Sequence, residues 1–203
     1  GLVPFEALRT VAAECAIPAE VARDHLAGFA RDAAGWRPES EEDLLSYCYQ
    51  VAGAVGVMMA HVMGVDPDDQ DTLDRAADLG IAFQLANIAR DVVDDAEVGR
   101  IYLPAQWLRE EASADAYRRS ARVGAARLPF RSRWAVLSAS GIYGEVAVQV
   151  ATLGPRAWDN RVTTSKAEKA ALVLEALAEA VMRARPVPRD GLWTRPRVGP
   201  SAP

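Results

Sequence analysis

Residues that would support several common kinds of function are scarce in this chain. Among its 203 residues are two cysteines and two histidines, and neither pair has the spacing of a zinc site or a CxxC redox motif. Basic residues do not predominate, since 23 Lys and Arg stand against 28 Asp and Glu. This balance argues against a nucleic-acid partner, which usually needs a basic surface. No signal peptide is visible, so we expect a cytoplasmic protein with reduced cysteines.

Alternating strand patterns are also nearly absent, and apolar residues recur at steps of three and four. That period predicts an all-α fold. The predicted helices cover residues 5–15, 19–30 (extending toward 34), 41–63, 71–95, 105–111, 129–153 and 163–185. Ser40 and Ser165 are the expected N-terminal caps of the third and the last helix. Residues 1–185 are expected to form one domain, and the Pro- and Arg-rich residues 186–203 an extended or disordered tail.

One stretch is long enough to be weighed as a membrane span. Residues 44–65 contain no Asp, Glu, Lys or Arg, and that length could cross a bilayer. The stretch also contains Gln50, His61 and several glycines and hydroxyl side chains, which a spanning helix would largely avoid. We interpret it as a buried helix of a soluble protein.

Polar side chains recur at four-residue steps near the end of the fourth predicted helix. Asn87, Asp91 and Asp95 each advance by about 40° around a helix, so they share one face, and Gln84 falls in the same sector. A row of oxygen ligands suits a divalent cation such as magnesium, and Arg90 could bind the oxygens of a diphosphate. A solvated acidic face is the alternative interpretation, and the residues alone leave it open.

A second pattern, an apolar face at helical spacing, lies in residues 47–62. Four residues at helical spacing share one face there: Tyr47, Val51, Val55 and Met59. Gly53 and Gly56 permit close packing of helices, or leave room for a ligand beside the backbone. The face could line an apolar tunnel, but the residues alone favour ordinary core packing.

Together the two segments resemble a known family. Residues 47–62 resemble the first signature of the squalene/phytoene synthase family, and residues 79–104 resemble the second, including the closing Arg100-Ile-Tyr-Leu-Pro104. The similarity extends to residues 128–135, 158–161 and 192–196, which are most like the bacterial, phytoene-forming members. It implies an isoprenoid synthase-type helical bundle around a central apolar cavity.

The resemblance also implies roles for individual residues. Asn87, Asp91 and Asp95 match the motif that binds magnesium, or manganese, on a substrate diphosphate. The expected catalytic residues are Tyr47, Arg90, Asp91 and Asp95. The expected substrate contacts are Gln84, Val51, Val55, Gly56, Tyr143 and Lys169, of which Tyr143 and Lys169 lie outside the two signatures.

The implied reaction joins two geranylgeranyl diphosphates head to head, through prephytoene diphosphate, to phytoene in carotenoid biosynthesis, with no nicotinamide cofactor. Substrate and product are both lipophilic, so we expect a cytoplasmic enzyme in peripheral contact with the inner membrane. Two alternatives remain open. One is a squalene or dehydrosqualene synthase that uses farnesyl diphosphate. The other is a non-catalytic family member that acts in assembly.

Two parts of the family pattern have no match. Nothing before Tyr47 fits the family's first DxxxD motif, and the family has a longer segment where residues 111 and 115 stand almost side by side here. We expect that N-terminal and internal segments are missing from the chain, and that a break lies between Glu111 and Asp115. A chain that truly lacked both segments would be expected to be inactive.

Overall fold

Helices follow one another along the chain, and no strand occurs in the described residues. The computed structural model describes residues 3–103, 114–159, 162–182 and 187–197. The helices are α1 (Val3–Glu14), α2 (Ala19–Ala33), α3 (Glu41–Cys48), α4 (Ala54–Val62), α5 (Gln70–Arg90), α6 (Val92–Glu97), α7 (Ala114–Ala125), α8 (Phe130–Leu153) and α9 (Lys166–Val181). The all-α prediction is therefore confirmed. The predicted helix over residues 105–111 and the expected break between residues 111 and 115 fall on, or border, residues outside the described ranges.

Two of the predicted helix starts form complete capping boxes. The Ser40 hydroxyl accepts a hydrogen bond from the Asp43 backbone N–H, and the Asp43 carboxylate accepts one from the Ser40 N–H. Ser165 and Glu168 repeat the arrangement at the start of α9. These reciprocal bonds satisfy N–H groups that a helix cannot satisfy by itself.

The predicted helix over residues 41–63 is continuous but not uniform. A π-helical turn, Tyr49–Gly53, separates α3 from α4. Glycines bring the backbones of this segment and α5 very close: a Cβ on Gly56 would lie 2.3 Å from the Ala76 carbonyl oxygen, and one on Gly80 would lie 2.3 Å from that of Ala52. Single π-turns inside α-helices frequently occur at functional sites.

The predicted helix over residues 71–95 is interrupted at Asp91, and this corrects the sequence-based boundary. Asp91 has φ −101° and ψ 16°, outside the α-helical region, so α5 ends at Arg90 and α6 begins at Val92. Backbone hydrogen bonds of helical spacing nevertheless cross the interruption, from Asp91 N–H to the Asn87 carbonyl at 2.9 Å and from Asp95 N–H to the Asp91 carbonyl at 2.8 Å. The four-residue spacing therefore keeps its register.

Helix α5 is the centre of the bundle. It packs against α3, the π-turn and α4 on one side and against α7 and α8 on the other, while α9 packs on α8. The core formed there includes Leu44, Val57 and Ile81, all almost fully buried. In the stretch weighed as a span, residues 44–65, ten of the 22 residues are buried, whereas Val55, Met59 and Val62 are exposed. Among the described helices, only α8 is long and apolar enough to cross a bilayer by composition, which is weak evidence because α8 packs on three other helices.

The described part of the C-terminal tail has no regular helix and is docked on the helical bundle. Residues 187–197 run along α5, where Arg189 forms an ion pair with Asp78 and Arg195 forms one with Asp74. Arg195 is 4% exposed, although the Pro- and Arg-rich composition predicted an extended or disordered tail. Buried aspartates on α5 provide the partners that composition does not reveal.

Candidate active site

An apolar cavity lies between the π-turn and α4 on one side and α5, α7 and α8 on the other. Its volume is about 400 Å³, within the roughly 300–1,000 Å³ range of small-molecule sites. Half of the residues that line it are alanine or glycine, so helix backbones form much of the wall. Its charged lining residue, Arg75, is held by Asp71 and Ser120. The space suits a hydrocarbon rather than a polar ligand.

Three of the four residues on the predicted apolar face line this cavity, namely Val51, Val55 and Met59. Gly56, an expected substrate contact, is also a lining residue. Tyr47 is not a lining residue: it is 2% exposed, and its hydroxyl donates a hydrogen bond to Asp32 at 2.8 Å. The structure therefore places Tyr47 behind the wall, four residues before Val51.

The predicted polar residues lie where α5 passes into α6. Asn87 is in the last full turn of α5, Asp91 is at the interruption and Asp95 is in α6. Arg90 Nε donates to one Asp91 carboxylate oxygen at 2.6 Å, and Arg90 Nη2 donates to the other. The hydrogen bonds to Asp91 raise the pKa of Arg90, and burial, which acts in the opposite direction, has the smaller effect. The guanidinium therefore stays charged.

Negative charge accumulates around Asp95. Burial raises the pKa of this carboxyl, and the charges of Asp91, Asp94 and Asp32 raise it further, while Arg100 opposes the shift. A cation would relieve this repulsion. Within the described ranges, no three His, Cys, Asp or Glu side chains are grouped closely enough to form a metal site by themselves. Two carboxylates and an amide oxygen do fit magnesium, which usually takes its remaining ligands from phosphates and water.

The polar residues Asn87, Asp91 and Asp95 are not among the residues that line the apolar cavity. The cavity wall on α5 ends at Phe83. Asn87 lies one turn farther along, about 6 Å at the rise of an α-helix, and Asp91 lies about 12 Å from Phe83. The apolar space and the acidic cluster are thus successive zones along one helix, which is an arrangement for a long amphipathic molecule.

The remaining predicted contacts divide into two groups. Tyr143 of α8 stacks on Phe83, with ring centroids 4.1 Å apart, and lies within electrostatic range of Arg90, so it is at the boundary between the two zones. Gln84 is half-buried beside Phe83 on α5. Lys169, by contrast, is exposed near the start of α9 and does not line the cavity. The structure thus brings Tyr143 to the predicted zone and leaves Lys169 on the surface.

Sequence reasoning missed two residues at this end of the molecule. Asp32 accepts hydrogen bonds from both Tyr47 and Tyr102. Tyr102 belongs to the stretch that closes the second signature, so its position was a usable signal. Asp32 is an isolated acid on a helix with many polar residues, and no local pattern distinguishes it.

Comparison with known proteins indicates one family. Residues 3–117 match the family model described as squalene/phytoene synthase. A 15-cis-phytoene synthase of Enterobacter agglomerans is 45% identical over 219 aligned positions, which cover 95% of this chain and 74% of that protein. The 15-cis-phytoene synthase of Pantoea ananas is 44% identical, with 95% of this chain and 70% of that protein covered. The first alignment is longer than this chain, so the relative has internal residues without a counterpart here.

A solved structure supports the same assignment of the fold. The crystal structure of a dehydrosqualene synthase in complex with ligand superposes with a TM-score of 0.69 at 29% sequence identity. The superposition covers 79% of this chain, and the chain spans 65% of the length of that protein. With the family match over more than half of its residues, the chain belongs to the squalene/phytoene synthase family.

Proposed function

We propose that this protein is a phytoene synthase, a prenyltransferase that joins two molecules of geranylgeranyl diphosphate head to head in carotenoid biosynthesis. Bacterial 15-cis-phytoene synthases that are 42–45% identical over 95% of the chain support this proposal. The structural observation that carries it is the succession of zones along α5, where an apolar cavity gives way after Phe83 to Asn87, Asp91 and Asp95. A prenyl diphosphate has the same succession of hydrocarbon and charge.

The polar zone would bind the diphosphate. Asn87, Asp91 and Asp95 would hold magnesium, or manganese, which when bound neutralises phosphate charge and helps the diphosphate to leave. Arg90 contributes a permanent positive charge and planar N–H donors that match phosphate oxygens. Gln84, about one turn before Asn87 on α5, adds neutral hydrogen-bonding groups.

The apolar zone would hold and protect the hydrocarbon. The carbon–oxygen bond of one substrate breaks with its electron pair leaving on the diphosphate, and the C2–C3 double bond of the second substrate attacks the resulting allylic cation. Loss of a proton gives the cyclopropyl intermediate, prephytoene diphosphate. A second ionisation, rearrangement and proton loss give phytoene without a reductant. Val51, Val55 and Gly56 exclude water, which would otherwise capture the cations.

We propose the same cellular setting that the resemblance implies. Both substrate and product partition into lipid, so the protein would work in the cytoplasm in peripheral contact with the inner membrane. Geranylgeranyl diphosphate would be its partner molecule, and no nucleic acid would be involved, in keeping with the net charge of −5.

Product analysis tests the proposal directly. Full-length protein is incubated with magnesium and either geranylgeranyl or farnesyl diphosphate, without NADPH, and the extracted hydrocarbons are separated by chromatography. Phytoene from the geranylgeranyl substrate is the expected product. The superposition on a dehydrosqualene synthase makes a C30 product from farnesyl diphosphate the second candidate. No hydrocarbon from either substrate would contradict an enzymatic role and favour an assembly protein.

A further inference from the structure

The apolar cavity of the candidate active site has two ends that differ in chemistry. Its lining residues on α5 run from Thr72 to Phe83, which are about 17 Å apart at the rise of an α-helix. Beyond Phe83, α5 continues to Asn87 and the acidic residues of the polar zone. The end near Thr72 is therefore the one that a hydrocarbon reaches last when its charged group lies in the polar zone.

The neighbouring helices run along the cavity between the same two ends. On α8, Tyr143 stacks on Phe83, and the lining residues at positions 135–139 precede it by one to two turns. On α7, the lining residue Gly124 lies against Arg75, because a Cβ on this glycine would be 2.6 Å from the Arg75 Cβ. Arg75 is about 12 Å from Phe83 along α5. The charged residue of the lining thus lies in the far part of the cavity.

The guanidinium of Arg75 is fully engaged by protein acceptors. Its Nε donates to the Asp71 carboxylate at 3.0 Å, its Nη1 to the Ser120 hydroxyl at 3.1 Å and its Nη2 to the Val187 carbonyl at 3.2 Å. Arg75 is buried, and its methylene stem passes alongside Gly124. Since each guanidinium nitrogen has an acceptor elsewhere, the stem is the part of Arg75 that a hydrocarbon can contact.

The C-terminal segment holds this arrangement from behind. Val187 precedes Arg189 by two residues, and Arg189 forms an ion pair with the fully buried Asp78 at 2.7 Å. Asp78 also accepts a hydrogen bond from the same Ser120 hydroxyl to which Arg75 donates. Moving Arg75 aside would leave buried polar groups without partners, which costs free energy. The far part of the cavity is therefore bounded by a side chain that does not give way easily.

We propose that Arg75 limits the length of the prenyl chain that the cavity accepts, and that docking of residues 187–197 keeps it in that position. The inference rests on the proposed function and names a residue that determines its specificity. A prenyl chain with its diphosphate in the polar zone extends past Phe83 toward Arg75. A chain longer by one isoprene unit would have to displace this arginine and break its hydrogen bonds, so the protein rejects it.

Arg75→Ala tests the inference, because it removes the stem and opens the space in front of Val187. The experiment compares kcat/KM for geranylfarnesyl diphosphate (C25) with kcat/KM for geranylgeranyl diphosphate (C20), with magnesium present and diphosphate release as the signal. The ratio of the C25 value to the C20 value is expected to rise about tenfold or more. We expect the variant to fold, since Asp71 is partly exposed and still pairs with Arg127 at 2.6 Å.

Arg189→Ala tests the part that the C-terminal segment has in this limit. Loss of the ion pair with Asp78 loosens the segment and, with it, the Val187 carbonyl that holds Arg75. The C25-to-C20 ratio should rise several-fold, but less than in Arg75→Ala. A loss of stability by itself lowers activity on both substrates together and leaves the ratio unchanged. An unchanged ratio in Arg189→Ala would show that the segment does not hold Arg75 in place.

Arg127→Ala is the matched control. Arg127 also pairs with Asp71, but it is exposed and is not among the residues that line the cavity. Its replacement therefore removes a positive charge from the same carboxylate without opening the cavity. The C25-to-C20 ratio should stay within about twofold of the wild-type value.

The possible results distinguish the inference from the function on which it rests. If Arg75→Ala turns over the C20 substrate with the wild-type ratio, or if Arg127→Ala raises the ratio equally, the inference is wrong and the proposed function stands. If Arg75→Ala does not fold, Arg75→Leu replaces it, since it shortens the side chain and keeps apolar packing. A several-fold rise in the ratio then supports the inference, and an unchanged ratio overturns it. A wild-type protein that releases no diphosphate from either substrate overturns both.

Discussion

Replacing Arg189 tests how firmly the C-terminal segment belongs to the fold. Arg189 Nε and Nη2 donate to the two carboxylate oxygens of Asp78, each at 2.7 Å, and Nη1 reaches Asp74 at 3.3 Å. The Asp78 side chain is fully buried and that of Arg189 is 14% exposed. Arg189→Ala therefore removes the charged partner of the buried Asp78 carboxylate, which keeps its hydrogen bond from the Ser120 hydroxyl.

The expected cost follows from that burial. Removing one partner of a buried ion pair typically costs about 3–5 kcal/mol, a large share of the roughly 5–15 kcal/mol by which a protein of this kind is stable. For a chain of about 200 residues this corresponds to a fall in melting temperature of roughly 10 °C. Urea unfolding followed by circular dichroism measures the free energy directly.

Two further variants show whether the reasoning is right. Asp78→Asn in the Arg189→Ala background should recover part of the loss, because it removes the unpaired charge. Arg23→Ala is the control: Arg23 pairs with Glu20 at 3.0 Å but is 70% exposed, so the change should cost less than about 0.5 kcal/mol. If Arg189→Ala costs no more than Arg23→Ala, residues 187–197 do not depend on this contact and the reasoning fails.

Three other predictions concern activity. Asp91→Asn should remove most magnesium-dependent turnover while the circular dichroism spectrum and the melting temperature stay near those of the wild type. Asp68→Asn, in the exposed loop before α5, is the control and should leave turnover unchanged. An active Asp91→Asn protein would contradict the assignment of Asp91 as a metal ligand. Ala139→Phe, which fills part of the cavity, should lower kcat/KM for the C20 substrate about tenfold or more relative to kcat/KM for the C15 substrate. An unchanged ratio of the two values would show that this cavity does not bind the hydrocarbon chain. High salt or mild alkali should release the protein from membranes, whereas a requirement for detergent would contradict peripheral attachment.

The local features of this protein follow from its sequence. Helical periodicity predicts the all-α fold, and the serine caps at Ser40 and Ser165 are read from neighbouring residues because a capping box spans only four positions. The four-residue spacing of Asn87, Asp91 and Asp95 survives the interruption at Asp91, because backbone hydrogen bonds carry the register across it. The apolar face of Val51 and Val55 lines the cavity, although the residues alone favoured ordinary core packing.

Other features were decided only by tertiary packing. Phe83 is the last residue of α5 that lines the cavity, and Tyr143 of α8 stacks on it, so the acidic residues form a separate zone rather than the cavity floor. Asp32 meets Tyr102 across 70 positions of sequence, and Arg189 meets Asp78 across 111. No local pattern records such pairs, since a side chain's neighbours along a helix set its direction but not which distant residue the fold brings to it. The docking of the C-terminal segment depends on burial of Asp74 and Asp78, which removes water and leaves the distant arginines as their partners.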